Sequence, residues 1–349
     1  MTGNGRPVRV LICDDSATSA GVLSRILGRD REIDVVEVCG SAEQTLKALP
    51  RVKPDLVTMD LQLPGMSGLE AVEQIMSAYP LPILVISSQI ASRENSTLVA
   101  AALAAGALDA LAKSELDLRD PAGADGVALR QRVKLLSGAR VIRHPRAALA
   151  GRRTRFSAPA RTAAVVGICA STGGPPALAA VLRELPDTYA IPILVVQHIA
   201  SGFTEGFAKW LGGELRLRVG LAADGARLAR GVWIAPEGAH LVLDGDGRLS
   251  LDRVTPAQPH RPSGDMLLHS IASVMGRESV GVVLTGMGAD GAEGLAAIRA
   301  AGGSTVAQDE ESSVVYGMPK AAAQSAEQIL PVAGIAGRLA TLQPARSTA

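Results

Sequence analysis

Three residues in the second half of this chain, Ser171, His198 and Asp290, have the types and settings of a nucleophile, its base and an orienting carboxylate. Ser171 follows the apolar run Ala164 to Cys169 and precedes Thr172-Gly173-Gly174-Pro175-Pro176, where a helical pattern opens. A serine there lies at a strand's carboxyl end and a helix's amino end, where backbone N–H groups and the helix dipole favour developing negative charge. The same place suits a serine that merely caps a helix. A serine nucleophile also needs a base. Of the five histidines, only His198 follows a near-continuous apolar run, IPILVVQ, that reads as a buried parallel strand. The right-handed crossover rule makes that strand a neighbour of the one before Ser171. Asp290 lies in a glycine-rich stretch after a third apolar run, VGVVL. Its neighbours Gly286, Gly288 and Gly291 permit tight turns and N–H groups turned towards a substrate oxygen. GICASTGGPP could instead be a phosphate-binding loop, although it lacks the G-x-G-x-x-G spacing and no acidic residue ends the next strand.

A second group of polar residues lies in the first half. Asp14 and Asp15 follow the run VRVLIC, Asp60 ends DLVTMD, Ser87 closes PILVIS, and Lys113 closes DALA. In a sheet of order 2-1-3-4-5 all of these reach the carboxyl edge, where ligands bind in such folds. Three carboxylates this close repel one another unless a cation compensates, and a hard divalent ion such as Mg²⁺ fits oxygen ligands. One carboxylate is then able to attack phosphorus. Asp14 and Asp15 could also be plain helix caps, but that does not account for five polar residues at matching strand ends.

The elements that position these groups alternate along the chain. Residues 8 to ~113 hold five short apolar runs separated by amphipathic segments such as SGLEAVEQIMSAY, which predicts a doubly wound parallel sheet. From residue ~161 a second α/β pattern begins, with one antiparallel hairpin, HLVLDGDGRLSLD. Between them, Arg140 to Arg161 holds seven arginines and no acidic residue, and reads as a solvated linker. The expected domains are 1–125, a basic linker over 126–160, and 161–349. The 349 residues carry 35 Lys+Arg against 34 Asp+Glu, a balance that favours neither nucleic acid nor a membrane surface as partner. Cys13, Cys39 and Cys169 lie in or beside apolar runs and read as buried thiols. With no apolar signal core at the amino terminus and no apolar stretch of ~18 residues, the cytoplasm is the expected compartment.

The segments VRVLICDDSA, LVTMDLQLPGMSGLE, ILVISS and GALDALAK closely resemble the response-regulator receiver family. That resemblance implies a five-stranded flavodoxin-like sheet of order 2-1-3-4-5. It makes Asp60 the phospho-acceptor, gives Mg²⁺ to Asp14, Asp15, Asp60 and the Gln62 carbonyl, and lets Ser87 and Lys113 sense the phosphoryl group. The set GICASTGGPPAL, VVQHIASGFTEGFA, RPSGDMLLHSIA and LTGMGADGAEGL resembles the CheB methylesterase catalytic domain. This second resemblance implies a mostly parallel, doubly wound α/β domain with the triad Ser171, His198 and Asp290, and the Met287 N–H as oxyanion donor. It also implies demethylation of γ-glutamyl methyl esters on chemoreceptors, deamidation of receptor glutamine, and a CheA-type histidine kinase as phosphoryl donor. No cofactor is expected for the esterase reaction. The expected protein is a monomer, without nucleic acid or membrane insertion. Ser67 and Gly264 depart from the families' usual aspartate and valine. A rival from another class is a response regulator whose second domain binds a nucleotide or partner without turnover.

By the same resemblance the receiver restricts access to the esterase until it is phosphorylated. Removal of residues 1–155 should therefore raise basal methanol release above that of the unphosphorylated full chain. Equal rates in the two proteins would defeat the occlusion model.

Overall fold

The computed structural model describes residues 6–87, 93–116, 120–139, 141, 161–256 and 260–345. It divides into two compact units. The first holds strands β1 (Val8–Cys13), β2 (Ile33–Cys39), β3 (Leu56–Met59), β4 (Ile83–Ser87) and β5 (Asp109–Ala112). All neighbours in it are parallel and the order is β2-β1-β3-β4-β5, as the alternating pattern predicts. The central strands are buried throughout because helices cover both faces, so they read as continuous apolar runs.

The covering helices are α1 (Ala17–Leu27), α2 (Ala42–Val52), α3 (Gly68–Ala78), α4 (Arg93–Ala105) and α5 (Ala124–Ser137). Helix α5 crosses the boundary expected at residue 125 and belongs to this unit. It packs on α1 and β3 through buried Leu129, Val133 and Leu136, and Arg130 donates to the Ile26 carbonyl. Its apolar face needed a partner, and the first sheet supplied one. The arginine-rich segment beyond it lies outside the described residues apart from its flanks.

The second unit is built on a seven-stranded parallel sheet. Its strands are β7 (Val165–Ala170), β8 (Ile193–Gln197), β9 (Val219–Leu221), β10 (Val232–Ile234), β13 (Ser279–Val283), β14 (Ser304–Gln308) and β15 (Gln328–Leu330). Their order is β15-β14-β13-β7-β8-β10-β9, so β7 and β8 are neighbours as the crossover rule requires. Strands β11 (His240–Leu243) and β12 (Leu249–Asp252) form the expected antiparallel hairpin. A short parallel pair, β6 (Thr162–Ala163) with β16 (Gln343–Pro344), ties the ends of this unit together. Helices α6 (Gly174–Arg183), α7 (Thr204–Glu214), α8 (Gly264–Met275), α9 (Ala292–Ala300), α10 (Met318–Ala322) and α11 (Val332–Ala340) complete it. Leu267, Leu268 and Ile271 of α8 enter one core with Val165, Cys169, Val283, Leu295 and Ile298. Among the described residues no helix is long and apolar enough to cross a membrane.

Ser67, the departure from the usual aspartate, has a plain local role. Its hydroxyl accepts from the Glu70 N–H while the Glu70 carboxylate accepts from the Ser67 N–H, a complete capping box at the start of α3. Gly68 follows it, and a β-carbon there would lie 2.1 Å from the Asp60 carbonyl oxygen and 2.6 Å from Leu61 Cα. Backbone cannot yield as a side chain can. Gly68→Ala should therefore destabilise the first unit by about 1–3 kcal/mol, read as a lowered melting temperature; an unchanged melt would show that the helix shifts freely.

Candidate functional site

In the first unit, Asp14 and Asp60 follow adjacent strands, fixed by backbone bonds from the Asp14 N–H to the Cys39 carbonyl and from the Asp60 N–H to the Cys13 carbonyl. Both carboxylates are buried, while Asp15 is exposed beside them. Ser16, not an aspartate, caps α1: its hydroxyl accepts from the Ser19 N–H. The two aspartates are thus left for other work. The Lys113 ammonium bridges Asp14 Oδ2 at 2.7 Å and Asp60 Oδ2 at 2.6 Å. Burial raises the Asp60 carboxyl above its ordinary pKa, and Asp14 adds to this against the opposing pull of Lys113 and the Gln62 N–H. Burial alone would lower the Lys113 ammonium, but its hydrogen bonds to Asp14 and Asp60 outweigh that and raise it. Ser87 is buried at the end of β4.

One oxygen from each of Asp14, Asp15 and Asp60 lies within 4.8 Å of the others. Three carboxylates against a single lysine leave excess negative charge, and an all-oxygen donor set suits a hard divalent ion. The residues present fit Mg²⁺.

In the second unit, Ala170 and Gln197 are register partners at the ends of β7 and β8, and the His198 N–H extends the ladder to the Ala170 carbonyl at 2.9 Å. Ser171 and His198 are therefore each the next residue beyond that pair, at one sheet edge. Buried Gln197 joins them: its Nε2 donates to the carbonyls of both Ser171 and His198, each at 2.8 Å. The signal for Gln197 was visible, as a lone polar residue closing the apolar run of β8.

The Ser171 N–H donates to the Thr285 carbonyl and the Gly174 N–H to the Ser171 carbonyl. Two N–H groups that a phosphate loop would present to an anion are thus consumed internally. Gly286 passes directly against the serine, since a β-carbon on it would lie 2.7 Å from Ser171 Cβ and closer still to Met318 Sδ. Met287 is the next residue in the chain. Its N–H finds no acceptor among the described residues, whereas the Gly286 N–H is taken by the Val315 carbonyl.

Asp290 is held by four donors, two to each oxygen. Oδ1 accepts from Ser263 Oγ at 2.8 Å and the Asp265 N–H at 3.0 Å; Oδ2 accepts from the Gly264 N–H at 2.6 Å and His198 Nε2 at 2.8 Å. Three of these donors form the amino terminus of α8, where Ser263 is the capping residue. Burial would raise this carboxyl, but the His198 bond and the two backbone donors overcome it and hold Asp290 well below the usual carboxylate range. An ionised carboxylate only accepts, so His198 carries its proton on Nε2. In the neutral form of such a ring Nδ1 is an acceptor, and here Nδ1 is buried without a partner among the described residues.

Gly264 is the departure from the usual valine, and its setting explains it. A β-carbon there would lie 2.6 Å from Cys169 Sγ and 3.2 Å from Asp290 Oδ2. The buried Cys169 sulfur fills the space that a side chain at 264 would need. RPSGD carries one signal for the clamp of Ser263, Gly264 and Asp265, since serine before a helical pattern is a capping signal, but it does not show the carboxylate that they hold.

Residues 166–339 match the family CheB methylesterase, and residues 10–119 match the response regulator receiver domain. The chain is 45% identical over 341 residues to protein-glutamate methylesterase/protein-glutamine glutaminase 2 of Anaeromyxobacter dehalogenans (strain 2CP-C), covering 95% of this chain and 96% of the relative. It is 43% identical over 338 residues to protein-glutamate methylesterase/protein-glutamine glutaminase 3 of Myxococcus xanthus (strain DK1622), covering 95% and 92%. The Thermotoga maritima CheB methylesterase catalytic domain aligns with a TM-score of 0.50 and 36% identity, over 51% of this chain and 98% of that one.

Because the Asp290 carboxyl is held below its unfolded value of about 3.9, its contribution to stability is full above that pH and fades as acid protonates it. Asp290→Asn should cost at least about 1 kcal/mol at pH 7, with the gap to the parent chain narrowing as pH falls below about 4. Chemical denaturation across that range checks it; a constant gap would mean the carboxylate's charge is not what the clamp stabilises.

Proposed function

The chain belongs to the CheB methylesterase family and carries a response regulator receiver domain ahead of the esterase domain, and from that we propose that Ser171, His198 and Asp290 perform the ester hydrolysis. The enzyme is a protein-glutamate methylesterase and protein-glutamine glutaminase whose substrates are γ-glutamyl methyl esters and glutamines of chemoreceptors. The observation that carries the triad is the set of four donors on Asp290. It fixes the histidine tautomer and leaves Nδ1 as the base.

In the first step His198 Nδ1 takes the Ser171 hydroxyl proton as Oγ attacks the ester carbonyl. The ring becomes an imidazolium, with its Nε2 proton still on Asp290. The tetrahedral oxyanion is met by the Met287 N–H, which has no competing acceptor among the described residues. Collapse expels the methoxy oxygen, which takes the proton from Nδ1 and leaves as methanol. Water then gives a proton to Nδ1 and attacks the acyl-enzyme, and that proton returns to Ser171 as the glutamate side chain departs as a carboxylic acid, which ionises by losing its remaining proton to solvent. With a glutamine substrate the same path releases ammonia. Gln197 serves the whole cycle by holding the Ser171 and His198 backbones at a fixed separation.

In the receiver domain, Asp60 accepts a phosphoryl group from a histidine kinase. Asp14, Asp15, Asp60 and the Gln62 carbonyl would hold Mg²⁺, which supplies positive charge against the transferred phosphoryl oxygens. Lys113 already bridges Asp14 and Asp60, so it is placed to follow the charge when Asp60 is modified, with Ser87 at the neighbouring strand end. The phosphoryl group adds ~1.5–2 negative charges, enough to shift a packing equilibrium that governs the esterase.

Ser171→Ala should abolish methanol release from methylated receptors and labelling by a serine-reactive phosphonate. Asp60→Asn should keep the basal rate and lose all stimulation by a phosphoryl donor. Normal methanol release by the serine variant would sink the triad, and stimulation persisting in the asparagine variant would remove Asp60 from its role.

A further inference from the structure

We infer that His260 is a positioning residue for His198, holding the imidazole in the plane that catalysis requires; this rests on the triad reading above. The two rings stack with centroids 4.2 Å apart and planes inclined by 28°. His198 is held along its edge by one hydrogen bond, from Nε2 to Asp290 Oδ2, while Nδ1 has no partner among the described residues. One edge contact fixes a point on a ring but not its tilt. A planar group packed on the face removes that freedom, and His260 is that group.

The position of His260 in the chain supports the assignment. It lies three residues before Ser263, and Ser263, Gly264 and Asp265 supply three of the four donors on Asp290. One short segment leading into α8 therefore clamps the carboxylate by hydrogen bonds and the imidazole by its face. If the segment moved, both partners of the His198–Asp290 bond would move with it. The stack also bears on the charged intermediate. When His198 takes the serine proton it becomes a cation, and the face of an uncharged aromatic ring at position 260, as in His260→Phe, is a favourable neighbour for one. Both effects favour the step in which the proton is transferred, and neither contributes to holding the substrate. The consequence is a loss in kcat with KM preserved.

The test compares His260→Ala, His260→Phe and Ser171→Ala in the full-length chain, with methanol release from methylated receptors as the activity. The alanine variant should lose on the order of 10- to 100-fold in kcat, with KM within about threefold of the parent. Phenylalanine, which restores a flat face without ring nitrogens, should recover most of the loss. The imidazole ¹⁵N spectrum should show a single His198 tautomer protonated at Nε2 in the parent and in His260→Phe, and exchange-broadened or mixed signals in His260→Ala. An alanine variant with parental kcat would overturn the inference. So would a folded phenylalanine variant as slow as alanine, because the ring nitrogens rather than the stack would then matter. If the alanine variant does not fold, the phenylalanine variant alone decides. Activity retained by Ser171→Ala would instead refute the triad itself, a failure separable from every His260 result.

Discussion

A buried, ionised carboxylate is costly unless every lone pair is engaged, and Asp290 is the residue on which that condition bears hardest. It is met by bringing together three distant stretches of chain: the loop after β13, the capped start of α8, and the histidine after β8. Each donor has a second function. Ser263 also caps α8, the Gly264 and Asp265 N–H groups are ones that a helix start leaves open, and His198 is the base we propose. The site's electrostatics and the helix's termination are one set of bonds. This is why the carboxylate's position is so tightly determined, and why the histidine tautomer follows from it without any further assumption.

The receiver solves a related problem in the opposite way. Its buried aspartates are shared by one lysine, leaving net negative charge at the sheet edge. Asp290 is saturated and acts by not changing. Asp60 is kept short of partners, so its environment has capacity for a cation and for a modification. Both sites use the same architectural resource, the carboxyl ends of parallel strands. The difference in local satisfaction separates a fixed carboxylate from one with room for change, in keeping with the roles proposed for them.

Much of this was legible in the sequence because strand ends are. Runs such as VRVLIC and IPILVVQ announce buried parallel strands, and the polar residue that ends each run is placed by the sheet's order. Ser171, His198, Asp14 and Asp60 were found that way. What escaped depends on contacts between segments that no periodicity encodes. Helix α5 was divided from the unit whose surface it covers, since its own pattern does not say which sheet it packs on. Strand β9, three half-buried residues at an edge, has too few buried positions for an alternation to show. Gln197 and the clamp of residues 263–265 were visible as residue types, but their partners are fixed only when β7, β8 and α8 converge.

Cys169 and Gly264 occupy one volume from two sides, and Asp290 Oδ2 forms its floor. The thiol is fully buried, and burial together with the nearby Asp290 and Asp265 charges raises its pKa well above the ordinary value, so it is present as an inert, space-filling group. Neither position is then free to drift alone. A bulkier residue at 264 requires a smaller one at 169, and a smaller residue at 169 opens a void behind the carboxylate unless 264 gains bulk. One thiol and one missing side chain thus share the packing behind the Asp290 carboxylate.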